Sequence, residues 1–380
     1  MDMQDKVSTT DSGVETIRFS FLSQDGVTQI NARMWVPVGC AGSEPEKVSE
    51  SGEGVEPSKD SEPNGGVEPS KGCEPGEGVR PNEGVKPKAI VQIVHGMEEH
   101  INRYEGFARF LAGQGFVVGA ADMLGHGQSI ASPELLSCIP AENGKTILIE
   151  DVHELRSLIS EATEERFSQQ LPFFMFGHSM GSFIVRAYIT YHTQGLAGAI
   201  LCGSGQQPIL LSKIGNTIAK RITKSKGETY KSDFLEGLGA GAYAKKIKNA
   251  RTDYDWLCTD EAIVDAYIAD PLCGVPFSAG AYVALTDITG EIATAANAAK
   301  APRDLPILFI AGSLDPVGAN GAGVQKAASL LKNAGVRQVD VVLYTDMRHE
   351  VLNETGKKDV YAGLASWMTA LSHPRQESSN

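Results

Sequence analysis

Apolar residues along the chain keep two rhythms. Residues 14–22 and 27–36 are β-rich runs joined by Ser23-Gln24-Asp25-Gly26, and the Asp-Gly step is a hairpin signal because glycine accepts the positive φ of such a turn. The fold is therefore expected to open with an antiparallel pair. From residue 89 onward, short continuous apolar runs alternate with amphipathic ones. Strands are expected at 89–94, 116–121, 172–176, 196–202, 305–311 and 339–344, and helices at 101–112, 146–167, 180–191, 323–333 and 351–371. Strands that are apolar throughout, separated by helices, imply a mostly parallel sheet covered on both faces. This is an α/β fold.

Two stretches break the alternation. Residues 206–300 lean to helix, with many Ala, Gly, Lys and Asp and no convincing strand, as an inserted lid would. Residues 38–87 contain no Leu, Ile, Met or aromatic residue, so burial there cannot offset chain entropy. Pro57, Pro63, Pro69, Pro75, Pro81 and Pro87 recur at a constant spacing, with Gly-Val steps between them. A β-helix built on this repeat would lose a ladder donor at every proline and has too few valines for a core. A disordered, polyproline-leaning surface insert is the expectation. The chain then divides into an N-terminal hairpin of the core (1–37), the insert (38–87), the first part of the core (88–205), a helical cap (206–300), the second part of the core (301–372) and a polar tail (373–380).

Composition narrows the function classes. The chain of 380 residues is 42% apolar, enough for a large core, and 34 basic against 47 acidic residues give a formal charge of -13. Such a charge repels nucleic acid and anionic membrane. No apolar stretch approaches a membrane span, and residues 1–13 lack the features of a secretory signal, so a soluble, cytoplasmic protein is expected. Cys40, Cys73, Cys138, Cys202, Cys258 and Cys273 lack metal-ligand spacing, which argues for free thiols and no structural metal. No cofactor is expected.

The chemistry centres on Gly177-His178-Ser179-Met180-Gly181, a G-x-S-x-G run where a strand gives way to a helix. The glycines permit a sharp turn that exposes Ser179 as a nucleophile. A serine hydroxyl needs a histidine to take its proton and a carboxylate to orient that histidine. After Ser179 and a further strand come only His349 and His373, and His373 lies in the polar tail, which leaves His349 as the base. Asp315, just past the strand at 305–311, is the expected acid; Asp346 competes but shares a turn with His349. The amides of Met180 and Met97 are the expected oxyanion donors, Met97 following Gly96 in the loop after the first parallel strand. His95 in that loop is expected to hydrogen-bond the loop itself.

Four ordered runs, His95-Gly96-Met97-Glu98-Glu99-His100, Asp122-Met123-Leu124-Gly125-His126-Gly127-Gln128-Ser129, Gly177 to Gly181 and Arg348-His349-Glu350, resemble the monoacylglycerol lipase and lysophospholipase group of α/β-hydrolases, also labelled serine aminopeptidase S33. The likeness spans residues 89–371, and Asp255-Trp256-Leu257 with Asp270-Pro271-Leu272-Cys273-Gly274 is similar to bacterial members. Leu124 departs from the arginine usual in the group. The resemblance implies a helical cap over an apolar acyl pocket and hydrolysis of monoacylglycerols, lysophospholipids or simpler esters, with transient lipid contact through the cap. Phe234, Leu235, Leu238, Tyr243, Trp256, Leu257, Tyr267, Ile268, Phe277, Tyr282 and Leu285 offer the cap's apolar surface, most of it packing cap on core and a minority lining the pocket. The competing readings are an amidase or peptidase on the same nucleophile, for which no paired-carboxylate amine anchor stands out in the lid, and a silent ligand-binding scaffold.

Overall fold

The computed structural model describes residues 3–38, 86–239 and 241–372. Almost all of the proline-periodic stretch, and the whole polar tail with His373, lie outside the described residues. A single nine-stranded sheet runs in the order β1-β2-β3-β5-β4-β6-β7-β8-β9. Its strands are β1 (Gln4–Asp11), β2 (Val14–Leu22), β3 (Gln29–Pro37), β4 (Ala89–Val94), β5 (Phe116–Ala121), β6 (Phe173–His178), β7 (Gly198–Cys202), β8 (Ile307–Gly312) and β9 (Val339–Tyr344). β1, β2 and β3 pair antiparallel and join β5 antiparallel, while β5, β4, β6, β7, β8 and β9 are parallel neighbours. The α/β sheet inferred from alternation is thus present.

The central strands read as continuous apolar runs because both faces are covered. In β6, Phe173 and Met175 enter one core with helices α2 (Gly144–Phe167) and α3 (Met180–Tyr191), whereas Phe174 and Phe176 enter another with α1 (Glu105–Gly113) and α11 (Lys357–Ser372). Full burial of each such ring contributes about 1.5–3 kcal/mol relative to exposure. Between β7 and β8 the chain forms α4 (Ile209–Lys226), α5 (Asp233–Leu238), α6 (Gly241–Ala244), α7 (Glu261–Ala269), α8 (Ala279–Ile292) and α9 (Ala295–Ala298); α10 (Ala322–Asn333) follows β8. α4 packs along α8, and α8 meets α3.

Three sequence expectations need correction. The antiparallel unit has three strands, not two, because β1 precedes the expected pair. Apart from Val7 it is polar, and Gln4 and residues 6–11 are exposed, so no hydrophobic pattern marks it; main-chain pairing with β2 holds it at the sheet edge. The turn joining them places Ser12 at φ 50° and Gly13 at φ 75°, both positive as a two-residue hairpin loop requires. β3 begins at Gln29 rather than Val27, since the Asp25 carboxylate accepts from the amides of Val27 and Thr28 and prolongs the turn. The last helix begins at Lys357 instead of residue 351, because the Glu354 carboxylate accepts the amides of Arg348 and Thr259 and folds the intervening residues into tight turns.

β4 lies between β5 and β6, so the connections leaving the two adjacent strands β4 and β6 depart to different partners. The crevice at such a switch point, outside the carboxyl ends of the strands, is where an open α/β sheet carries its ligand. The loops at residues 95–100 and the β6–α3 junction meet there.

Candidate active site

Ser179 occupies the junction of β6 and α3 at φ 51° and ψ −119°, a conformation a non-glycine residue holds only when its surroundings enforce it. The enforcement is steric. A Cβ on Gly177 would stand 2.4 Å from the Gly181 carbonyl oxygen, and one on Gly181 would stand 2.1 Å from that of Val94. Strand and helix therefore approach to a distance only glycine allows, and the Ser179 amide donates to Cys202 O at 2.9 Å. Met180 is the first residue of α3, whose leading amides have no intrahelical acceptor. Met97 and Met180 line the same cavity as Ser179, and among the described residues no group accepts from either amide.

His349 lies on that cavity too. Its Nδ1 is 3.0 Å from Asp315 Oδ1, which also accepts the Val317 amide at 2.9 Å. Both side chains are buried, at 1% and 0% exposure. An ionised carboxylate only accepts, so Nδ1 carries the proton and Nε2 presents its lone pair. That Nε2 is buried without a hydrogen-bond partner; the bond from the Ser179 hydroxyl is not formed in this structure. Hydrogen bonds of this kind often tighten only when substrate is bound. Gly203, at φ 58°, makes room for the imidazole, since a Cβ there would meet His349 Cε1 at 2.8 Å. Asp346 is exposed and its amide donates to Ser313 Oγ, away from the imidazole. His95 holds the loop: Nδ1 bonds Gly96 O at 2.8 Å and Nε2 accepts the Met123 amide at 2.9 Å.

A second set of buried residues, to which the sequence reading gave no role, braces the first. Glu99 Oε1 accepts the Gly96 amide at 2.6 Å, the Tyr104 hydroxyl at 2.7 Å and His178 Nδ1 at 3.0 Å, while Oε2 bonds Arg103. Arg103 in turn holds Glu350 through both carboxylate oxygens, at 2.5 and 2.7 Å. Burial opposes charge on Glu99, yet the hydrogen bond and charge of His178, followed by Arg103, hold its carboxyl well below the usual range. Burial likewise opposes the His178 imidazolium, and Glu99 overcomes it and raises the pKa. The sequence signal was partial: Glu99 and Arg103 are spaced for one helical face, but Glu350 is remote in sequence.

The cavity holds about 660 Å³ of space between protein atoms, part of it open to solvent. From residues 206–300, Tyr243, Trp256, Leu257, Tyr267 and Leu285 line it. Phe277, Tyr282 and Leu235 pack into the core, whereas Phe234, Leu238 and Ile268 are exposed, contrary to their expected part in the cap's apolar surface; the packing of α5 and α7 turns those three outward. Leu124 is buried in the main apolar cluster. Among the described residues, His100, Asp270 and Cys273 come nearest to a metal-ligating set. His100 Nε2 is satisfied by Asp270 at 2.9 Å and burial raises the Cys273 thiol, so the group is accounted for without an ion.

Two variants test the geometry. Gly203→Ala should displace the imidazole and lower kcat/KM on an activated ester by about 10²-fold, with a stability loss of about 1–2 kcal/mol from the positive φ. Wild-type kinetics would show that His349 is not held as described. Arg103→Met should leave the buried Glu350 carboxylate without its ion-pair partner and Glu99 with His178 alone, and reduce unfolding stability by about 3–5 kcal/mol in urea titration. A loss below about 1 kcal/mol, the range of an exposed pair, would show the network is not buried.

A family model described as serine aminopeptidase, S33, matches residues 85–356. A monoacylglycerol lipase of Mycolicibacterium smegmatis is 27% identical over 297 residues, covering 74% of this chain and 89% of that protein. Human monoglyceride lipase is 27% identical over 187 residues, 49% of this chain and 52% of that one. The crystal structure of a thermostable carboxyl esterase from Bacillus coagulans in complex with glycerol superposes with a TM-score of 0.74 at 28% identity, covering 94% of this chain and 99% of that chain. With its parallel sheet and serine elbow, the chain belongs to the serine aminopeptidase S33 family of α/β-hydrolases.

Proposed function

We propose that the protein hydrolyses carboxylic esters through an acyl-Ser179 intermediate. The observation that carries this reading is the buried Asp315–His349 hydrogen bond on the cavity that also holds the strained Ser179. His349 Nε2 takes the hydroxyl proton as Oγ attacks the ester carbonyl carbon, and the amides of Met97 and Met180 stabilise the oxyanion. The tetrahedral species collapses as the C–O bond to the alcohol breaks and His349 returns the proton to the leaving oxygen. Water then repeats the sequence on the acyl-serine, releasing the acid. The positive end of α3 adds to oxyanion stabilisation.

Monoacylglycerols, lysophospholipids or similar acyl esters are the proposed substrates. The names of the mycobacterial and human relatives support the first of these. The apolar lining from Phe183, Trp256, Leu257 and Leu285 suits an acyl chain, at about 0.8 kcal/mol per buried CH₂. In this reading residues 206–300 act as the cap. Ile209, Leu210, Leu211 and Ile214 expose an apolar face on α4, which supports transient contact with a lipid surface. No described helix is long and apolar enough to cross a membrane; action within the cytoplasm is part of the proposal.

A fluorophosphonate should label wild-type protein at Ser179, read by peptide mapping, and Ser179→Ala should lower kcat on p-nitrophenyl esters by about 10⁴-fold or more. Labelling elsewhere, or faster cleavage of aminoacyl anilides than of esters, would overturn the ester reading. Asp315→Asn should preserve the fold but cost about 10⁴-fold in kcat, because the amide no longer selects the productive tautomer. Full activity would move the acid role elsewhere, with Asp346→Asn as the comparison.

A further inference from the structure

Two segments remote in sequence lock together beside the proposed base. The turn at residues 255–259, from the insertion between β7 and β8, lies against the turn at residues 348–354. Arg348 Nη1 donates to Asp255 O at 2.5 Å and to Cys258 O at 3.0 Å, and the Glu350 amide donates to Leu257 O at 2.7 Å. Glu354, 1% exposed, closes the joint by accepting from the amides of Arg348 and Thr259. The residues on both sides of His349 therefore hold this turn, one by its guanidinium and the other by its main chain.

What the clamp keeps in place is an indole. Trp256 is 8% exposed, and its ring centroid stands 5.0 Å from that of His349 with the planes at 45°. Tyr243 packs on the same indole at 5.2 Å between centroids. The tautomer of His349 does not need these contacts, because Asp315 sets it through Nδ1. Packing alone would be met by any apolar side chain of similar volume. An indole adds an electron-rich face, which of the natural rings attracts a cation most strongly within about 6 Å of its centre.

A cation exists at His349 only in passing. The imidazole is neutral while its lone pair waits for the hydroxyl proton, and it becomes imidazolium as Ser179 attacks and again as water attacks the acyl-serine. An interaction made only with the charged form lowers the barrier without tightening substrate binding.

We propose that Trp256 is a positioning residue for both proton transfers: clamped by Arg348 and Glu350, its indole stabilises the His349 imidazolium. The inference rests on the ester-hydrolase reading and deepens it. Trp256 also lines the cavity, so the test has to separate action on His349 from packing against substrate.

Fluorination drains electron density from the indole face while nearly preserving its shape. Full-length protein carrying mono-, di- or trifluorinated tryptophan should hydrolyse p-nitrophenyl acetate with kcat falling stepwise, by about tenfold at the third fluorine, and with KM unchanged to within about twofold. The same series in Trp256→Phe should be flat, since Trp35 and Trp367 belong to the core around α1 and α11. A kcat insensitive to fluorine, a slope that survives Trp256→Phe, or an effect confined to KM overturns the proposal while leaving ester hydrolysis standing. Arg348→Met should lower kcat more in wild type than in Trp256→Leu; equal losses overturn the clamp. If wild type cleaves no ester, the ester reading fails and fluorescence decides the contact. Emission of Trp256, taken as the difference between wild type and Trp256→Phe, should be quenched on acidification as an imidazolium forms against the indole, and His349→Gln should abolish the quenching. No quenching, or quenching that persists in His349→Gln, overturns the contact.

Discussion

The carboxylate of Glu99 gathers groups from separate parts of the chain: the amide of Gly96 before it, Arg103 and Tyr104 at the entry to α1, and His178 at the end of β6. A buried carboxylate short of partners would be destabilising by several kcal/mol, so each of these groups is bound to its place. Through Arg103 the constraint reaches Glu350, the residue after His349. The loop bearing Met97, the strand leading into Ser179 and the turn bearing His349 are thereby fixed to one another without any of the proposed catalytic side chains serving as the fastener. Preorganisation of this kind makes electrostatic stabilisation effective, because little has to reorganise as charge develops.

Sterics supply the complementary constraint. Gly177 brings β6, and Gly181 brings β4, so close to α3 that Ser179 is driven into its unusual backbone geometry, and Gly203 clears the volume that the imidazole fills. Charge and shape thus divide the work: hydrogen bonds hold the loops, and missing side chains set the distances.

Much of this was legible in the chain. Strands buried on both faces have no polar alternative, so β4 through β8 stand out as apolar runs, and the elbow is marked by its glycines. What escaped was whatever depends on main-chain bonds or on distant partners. β1 coheres through its ladder and has no apolar face to display. The start of α11 is set by Glu354 reaching Arg348 and Thr259. Phe234, Leu238 and Ile268 look like pocket residues by type, yet the orientation of short helices is decided by tertiary packing.

The position of the helical insertion has an evolutionary corollary. β7 and β8 are direct neighbours in the sheet although residues 203–306 separate them, so the chain leaves and re-enters the framework at adjacent points. Lengthening, shortening or replacing the excursion leaves the register of the two strands untouched. The segment can therefore change without disturbing the strand pairing on either side of it.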